Sequence, residues 1–300
     1  TLISNKDPVI FQVVQHLKDY TLINISAQNG FEALYFNFHN IVLASHLEVR
    51  QAMAMAVDQQ AVINGPLHGF ASRLCTDHPS ALHPGYEPDI LDCPLFDLVS
   101  ANKLLNDNGW VKGADGVRAK GGQRLEFEYS TTTSFKPWRL DVETIIQHDF
   151  RQIGIQLDIQ NYPNGIFFSS FLPQGKASPS TGAVAGRYDI AEIEQDLSYD
   201  PDDSILFGCN QVPPVGFNFG SYCNPTLDNL FAQEQATADP GVRQQIFIQI
   251  HRLYPTQFPF ITLYSPMAYA LAHKGTHNYQ PGPFTDTYNI WEWWCDGGKC

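Results

Sequence analysis

The chain has 300 residues, 43% hydrophobic and 13% aromatic, which is ample for a packed core and excludes a disordered polymer. Its 31 acidic and 18 basic side chains give a formal charge of −13, a surface that repels phosphate backbones and argues against nucleic-acid binding. No run approaches the roughly 18 apolar residues of a membrane helix. The opening T-L-I-S-N-K-D-P lacks the basic and apolar regions of a secretory signal, so it reads as a mature protein or a piece cut from a longer chain.

Residues 1–30 show no clear period until Tyr20–Ser26 (Y-T-L-I-N-I-S), which reads as a strand, as does Ala33–Phe38 (A-L-Y-F-N-F). S-H-L-E at 45–48 predicts a capping box, Ser45 accepting from the Glu48 amide and Glu48 reaching back to the Ser45 amide. It opens an Ala- and Met-rich helix over 48–57, and Asp58 caps a short helix that stops at Asn64-Gly65-Pro66. Residues 66–95 are proline-rich and read as a long ordered loop. Leu98–Asn108 is helical, with Gly109 placed as its terminator. Val117–Lys120 and Gln123–Ser130 flank Gly121-Gly122, a two-residue hairpin signal.

Pro137–Ile153 is a long amphipathic helix ended by Gly154, and I-Q-L-D-I-Q then alternates as a strand. Ile166–Leu172 reads as a short aromatic helix and 173–186 as a flexible loop. The strand Y-D-I-A-E-I-E leads into I-E-Q-D-L-S-Y-D-P-D-D at 193–203, with Asp202 and Asp203 favouring a helix start through its dipole. Pro225–Thr237 and Gly241–Gln257 are the last helices, and F-P-F-I-T-L-Y is a final strand. Alternating strands and helices predict an α/β fold with a mixed sheet. The two ends, 1–30 and 268–300, are aromatic and helix-poor, as if they pack against something else.

The cysteines at 75, 93, 209, 223, 295 and 300 form three sequential pairs, the pattern of an oxidising compartment. Disulfides Cys75–Cys93 and Cys209–Cys223 are expected, with Cys295 and Cys300 closing a small ring. The competing reading is zinc held by Cys75, His78, His83 and Cys93, a spacing outside the familiar structural patterns. A calcium loop at Asp196, Ser198 and Asp200 would put Pro201 where glycine is needed. A glycosidase-type acid pair could come from Glu126 and Glu128 or from Glu192 and Glu194, although alternating acids more commonly mark a solvated sheet face. No G-x-S-x-G, H-E-x-x-H, P-loop or dinucleotide fingerprint is present.

The order of motifs is more specific than any one of them. L-Y-F-N-F at 34–38, then E-V-R-Q-A-M-A-M-A-V-D-Q-Q-A-V-I at 48–63, resembles the family-5 extracellular solute-binding proteins of peptide ABC importers. G-Y-E-P-D at 85–89, A-N-K-L-L-N-D-N-G-W at 101–110 and I-I-Q-H-D-F-R-Q-I-G-I-Q-L-D-I at 145–159 follow in the order that family shows. So do Y-D-I-A at 188–191, Y-D-P-D-D at 199–203 and P-F-I-T-L-Y at 259–264.

The resemblance implies a class II periplasmic-binding-protein lobe, a mixed sheet flanked by helices, with remnants of a second lobe. Residues 1–33 would be hinge and lobe I remnant, 34–263 the solute-binding lobe II, and 264–300 the return to lobe I. The rest of lobe I would lie outside this chain. The implied activity is hinge closure around a peptide or other small solute and docking on a membrane permease, with no catalysis, cofactor or metal. The protein would be a monomer, extracellular or periplasmic, anchored through a lipidated N-terminus absent from this chain. In the family an Asp four residues before the Pro of the D-P turn holds the peptide ammonium; that position is Leu197 here, with Asp196 one residue earlier. Asp196, Glu194 and Tyr199 are the implied cleft wall, with Tyr35 near the hinge. Arg50 is expected to pack rather than bind. The alternatives are an extracellular hydrolase built on a carboxylate pair and a calcium-stabilised extracellular module.

Overall fold

The computed structural model describes the chain except residues 1–2, 26–28, 81, 88–92, 133, 135, 169–187, 214 and 299–300. After β1 (Ile3–Asn5), Asp7 caps α1 (Pro8–Val14) by accepting from the Val9 and Ile10 amides, and Pro8 sits in the first turn, where an N–H is dispensable. The sequence reading missed this helix, although Asp7-Pro8 is a helix-start signal. β2 (Tyr20–Ile25) and β1 flank β12 (Ala268–His273) in a small three-stranded sheet made from the two ends of the chain.

Among the described residues the main sheet has six strands. β3 (Gly30–Phe36) is its fully buried centre. Antiparallel to β3 lie β11 (Phe260–Pro266) and β10 (Ile190–Asp196). β8 (Glu126–Ser130) pairs parallel with β10, and β9 (Gln156–Ile159) parallel with β8, while β4 (Ala71–Ser72) closes the far edge. Alternation along β3 divides the core. Leu34 and Phe36 pack with α3 (Leu47–Ala56), α5 (Leu98–Asp107) and α6 (Arg139–Gln152). Phe31, Ala33 and Tyr35 pack with α8 (Ser204–Phe207), α9 (Pro225–Gln235) and α10 (Pro240–Gln257). Both faces of the sheet are therefore covered, as parallel pairing requires.

Most expected elements form. Asp58 caps α4 (Gln59–Asn64) by accepting from the Ala61 amide. Gly121 and Gly122 both take positive φ between β6 (Arg118–Lys120) and β7 (Gln123–Arg124), the backbone that a two-residue hairpin demands. The Gln123–Ser130 strand is broken into β7 and β8, which join different sheets. The capping box does not form. Ser45 ends a separate helix, α2 (Ile41–Ser45), and the Glu48 carboxylate is instead engaged by His46 Nδ1 at 2.8 Å and Trp110 Nε1 at 3.1 Å. A tryptophan N–H supplied by the tertiary fold outcompetes the local amide. Arg50 donates to the carbonyls of Gln257 and Phe258, clamping α3 to the end of α10 as packing. The aromatic helix begins at Asn164–Ile166, earlier than expected, and continues through Phe167 and Phe168; the rest of it, 169–172, and the loop 173–186 lie outside the described residues.

Cys75–Cys93 and Cys209–Cys223 are disulfides with Cα–Cα distances of 5.5 and 4.4 Å. The zinc reading fails because both of its cysteines are bonded to each other. Cys295 is disulfide-bonded too, whereas Cys300 lies outside the described residues. The calcium loop also fails: the Ser198 hydroxyl donates to the Asp200 carbonyl and the Asp200 carboxylate is taken by Arg243.

Candidate functional site

The parallel strands β8 and β10 end beside the N-terminus of α6, the crevice where open α/β sheets bind ligands. Glu192, Glu194 and Asp196 alternate along β10 and so share one sheet face, and Glu194 lies directly across from Glu32 of β3. Burial falls along the row. Glu192 and Glu32 are sealed, while the side chain of Glu194 is 10% exposed and that of Asp196 57%.

Cations meet the row from two directions. Arg139, on the first turn of α6, donates to Glu32 at 2.6 Å and to Thr132 Oγ1 at 2.7 Å. Lys136, just before α6, contacts Glu194 and lies 3.6 Å from Glu32. Lys6, between β1 and α1, places its Nζ 2.6 Å from Asp196 and 3.2 Å from Glu194. A chain of hydroxyls seals the deep end: Tyr129 donates to Glu192, Trp138 Nε1 to Tyr264, and Tyr264 reaches Glu32 at 3.4 Å.

Burial, reinforced by the neighbouring Glu32 charge, pushes Glu192 up to about 8, so at neutral pH it carries a proton. Burial lowers Lys136 to about 8, against the pull of Glu32. At the deep end of the row Arg139 therefore pairs with Glu32 rather than with Glu192. The outer part, Glu194 and Asp196, is left facing ammonium groups. A hollow of about 300 Å³ adjoins it, bounded by Asn5, Lys6, Asn29, Phe284 and Asp286 among others.

Of the residues singled out from sequence, Glu194 and Asp196 come together here. Tyr199 is 72% exposed, with its ring 5.6 Å from that of Phe284 on the hollow's border. Tyr35 is placed elsewhere: it is 2% exposed, stacked with Phe207 and Phe260 on the other side of the sheet. Of the two carboxylate pairs, Glu126 is tied to Arg124 at 2.8 Å on the solvent side, and Glu192 is sealed from solvent, so neither is a pair of open carboxyls. Sequence reasoning missed Lys6, Lys136, Arg139 and Glu32. Glu32 alone left a signal, an acid set inside the apolar run F-E-A-L-Y-F.

The chain matches the description "Bacterial extracellular solute-binding proteins, family 5 Middle" over residues 5–211. It is 27% identical over 277 residues to di/tripeptide-binding protein 1 of Pseudomonas aeruginosa, an alignment covering 89% of this chain and 46% of the relative. To the probable di/tripeptide-binding protein 5 of the same species it is 34% identical over 243 residues, covering 79% and 41%. Among solved structures, the oligopeptide-binding protein AppA of Bacillus subtilis, in complex with a nonapeptide, superposes with a TM-score of 0.82 at 21% identity, covering 97% of this chain and 55% of AppA. NikZ of Campylobacter jejuni, in complex with Ni(L-His), gives 0.79 at 23% identity, covering 96% and 56%. This chain spans about half the length of the curated relatives it matches. Over that half, the fold and the sequence agree: the chain belongs to the bacterial extracellular solute-binding proteins of family 5.

Proposed function

We propose that this chain supplies one lobe of the solute-binding component of an ABC importer, taking di- or tripeptides or a similar small solute with a cationic head. Glu194 and Asp196 accept the solute's ammonium, and Tyr199 forms part of the wall. The observation that carries this reading is Lys6: its ammonium lies 2.6 and 3.2 Å from the two carboxylates, so this end of the sheet already holds a group of that chemistry. The relatives named for di- and tripeptides support the substrate class.

In the same reading, 34–263 form the solute-binding lobe, while the small sheet β1-β12-β2 and the C-terminal segment belong to a second lobe that closes over the solute. Closure is driven by solute bridging the lobes, and no bond is made or broken. The disulfides suit an extracellular or periplasmic location, with a permease as partner and a lipid anchor on the membrane side.

The test is calorimetric titration of free and N-acetylated di- and tripeptides into the full product of the gene. A charge-assisted pair of this kind gives free amines an advantage of about ten- to a hundredfold. Glu194→Gln combined with Asp196→Asn removes that advantage. Equal affinity for acetylated peptides sinks the ammonium reading, and turnover of any peptide replaces binding with catalysis.

A further inference from the structure

A second polar cluster lies on the opposite side of the sheet, against α10, where peptide recognition has no use for it. Asp77 and His78 come from the loop after β4, Asp203 from the start of α8 and His251 from the middle of α10. All four are 0% exposed. Their nearest polar atoms lie within 4.8 Å of one another. His78 Nε2 is 3.0 Å from Asp203 Oδ1, and His251 Nε2 is 3.1 Å from Asp77 Oδ1 and 3.5 Å from Asp203 Oδ2. Four ligand atoms held tetrahedrally at about 2.0–2.2 Å from a zinc ion stand about 3.3–3.6 Å apart. The three contacts above are close to that spacing, and all four ligand atoms lie within 4.8 Å of one another, so a small inward shift would bring them onto one ion.

Two features separate it from an ordinary buried salt bridge. His251 Nδ1 lies 2.8 Å from the Gly85 carbonyl, which accepts its proton. In a neutral ring this leaves the Nε2 lone pair aimed into the cluster, the second-shell arrangement of metal-bound histidines. Moreover, among the described residues neither oxygen of Asp77 nor His251 Nε2 finds a partner with hydrogen-bond geometry, although all are sealed from water. A buried carboxylate without donors is costly. Once metal-bound, two carboxylates and two imidazoles, which must be neutral to ligate, would together carry a charge of −2, which one divalent ion cancels.

We propose that Asp77, His78, Asp203 and His251 form a closed, structural zinc site. Imidazole and carboxylate together suit a borderline divalent ion, and four protein ligands leave no open position for chemistry. The ion ties three separate segments together: the proline-rich loop, the start of α8 and α10. It holds that loop beside the Cys75–Cys93 disulfide, so the loop is fixed on one side covalently and on the other by coordination.

The experiment measures bound metal by elemental analysis of tag-free protein, then melting temperature after chelation and after adding zinc chloride. About one zinc per chain is expected, with a melting temperature about 5–10 °C lower once zinc is removed and restored by zinc but not by magnesium or calcium. Cobalt(II) added to the stripped protein gives the intense visible bands of tetrahedral coordination. Asp77→Asn and His251→Gln abolish the bands, whereas His83→Gln, whose ring centroid lies 5.4 Å from that of His78, keeps them. If the variants fail to fold, the cobalt spectrum of the wild-type chain decides alone. Folded protein with less than about a tenth of a zinc per chain, no cobalt bands and a zinc-independent melting temperature overturns the proposal and leaves a protonated histidine–carboxylate network.

Discussion

Arg139→Met isolates what the buried charge row costs the fold. Arg139 is 3% exposed, and its guanidinium is the partner of Glu32, which is fully sealed. Methionine fills a similar volume but leaves the Glu32 carboxylate buried and without its cation. Breaking a buried ion pair from one side costs about 3–5 kcal/mol. Here Lys136 at 3.6 Å and the Tyr264 hydroxyl at 3.4 Å still attend Glu32, which puts the loss near the lower end, about 3 kcal/mol. With a urea slope of about 3 kcal/mol per molar, the unfolding midpoint falls by about 1 M. Adding Glu32→Gln removes the uncompensated charge, and the double variant recovers about 2 kcal/mol of the loss, the signature of coupling in a double-mutant cycle. Urea denaturation followed by circular dichroism reads all four corners. If Arg139→Met costs less than about 1 kcal/mol, or if Glu32→Gln brings no recovery, the charge row is not the coupled unit described above.

Two further consequences concern pH and backbone. Glu192 has its pKa raised from 4.5 to about 8 by burial and then by Glu32, so between those values the native chain binds a proton that the unfolded chain has released. Its stabilising contribution is full below 4.5 and is lost as pH rises through about 8. Glu192→Gln therefore flattens that part of the stability-versus-pH curve, and parallel urea midpoints for wild type and variant across the window contradict the assignment. Gly109 and Gly154 both have φ +81°, yet a Cβ at Gly109 meets open space while one at Gly154 would stand 2.7 Å from Arg118 Cγ and 3.1 Å from the Gly116 carbonyl. Gly109→Ala is expected to cost about 1 kcal/mol of left-handed strain and Gly154→Ala at least about 1 kcal/mol more; equal losses in thermal melts refute the steric part.

The legible parts of this chain are those fixed by neighbours in sequence. Asp58 as a cap, Gly109 and Gly154 as helix terminators and Gly121-Gly122 as a hairpin act over a few residues, through backbone conformations that side-chain chemistry announces. The alternation of the strand likewise placed Glu192 and Glu194 on one face before any partner was known, and β10 runs two residues further to bring Asp196 onto the same face. The capping box shows the limit of this reasoning. Glu48 could have turned back to its own helix, but an indole N–H from a residue 62 positions away took the carboxylate.

Sequence by itself therefore determined the α/β class, two of the disulfide pairs, the family and the row of acids on β10, because each follows from local periodicity, composition or motif order. Only the tertiary structure decided what those acids meet. Lys6 reaches Asp196 across 190 positions and Arg139 reaches Glu32 across 107, contacts set by β3 pairing antiparallel to β10 and by α6 starting at the end of β8. The same holds for Asp203, which reads locally as an acid favouring a helix start but sits sealed against His78 from 125 positions away. Charge type is written residue by residue. Whether a charge is solvated, paired or buried depends on which distant segment the packed sheet brings against it.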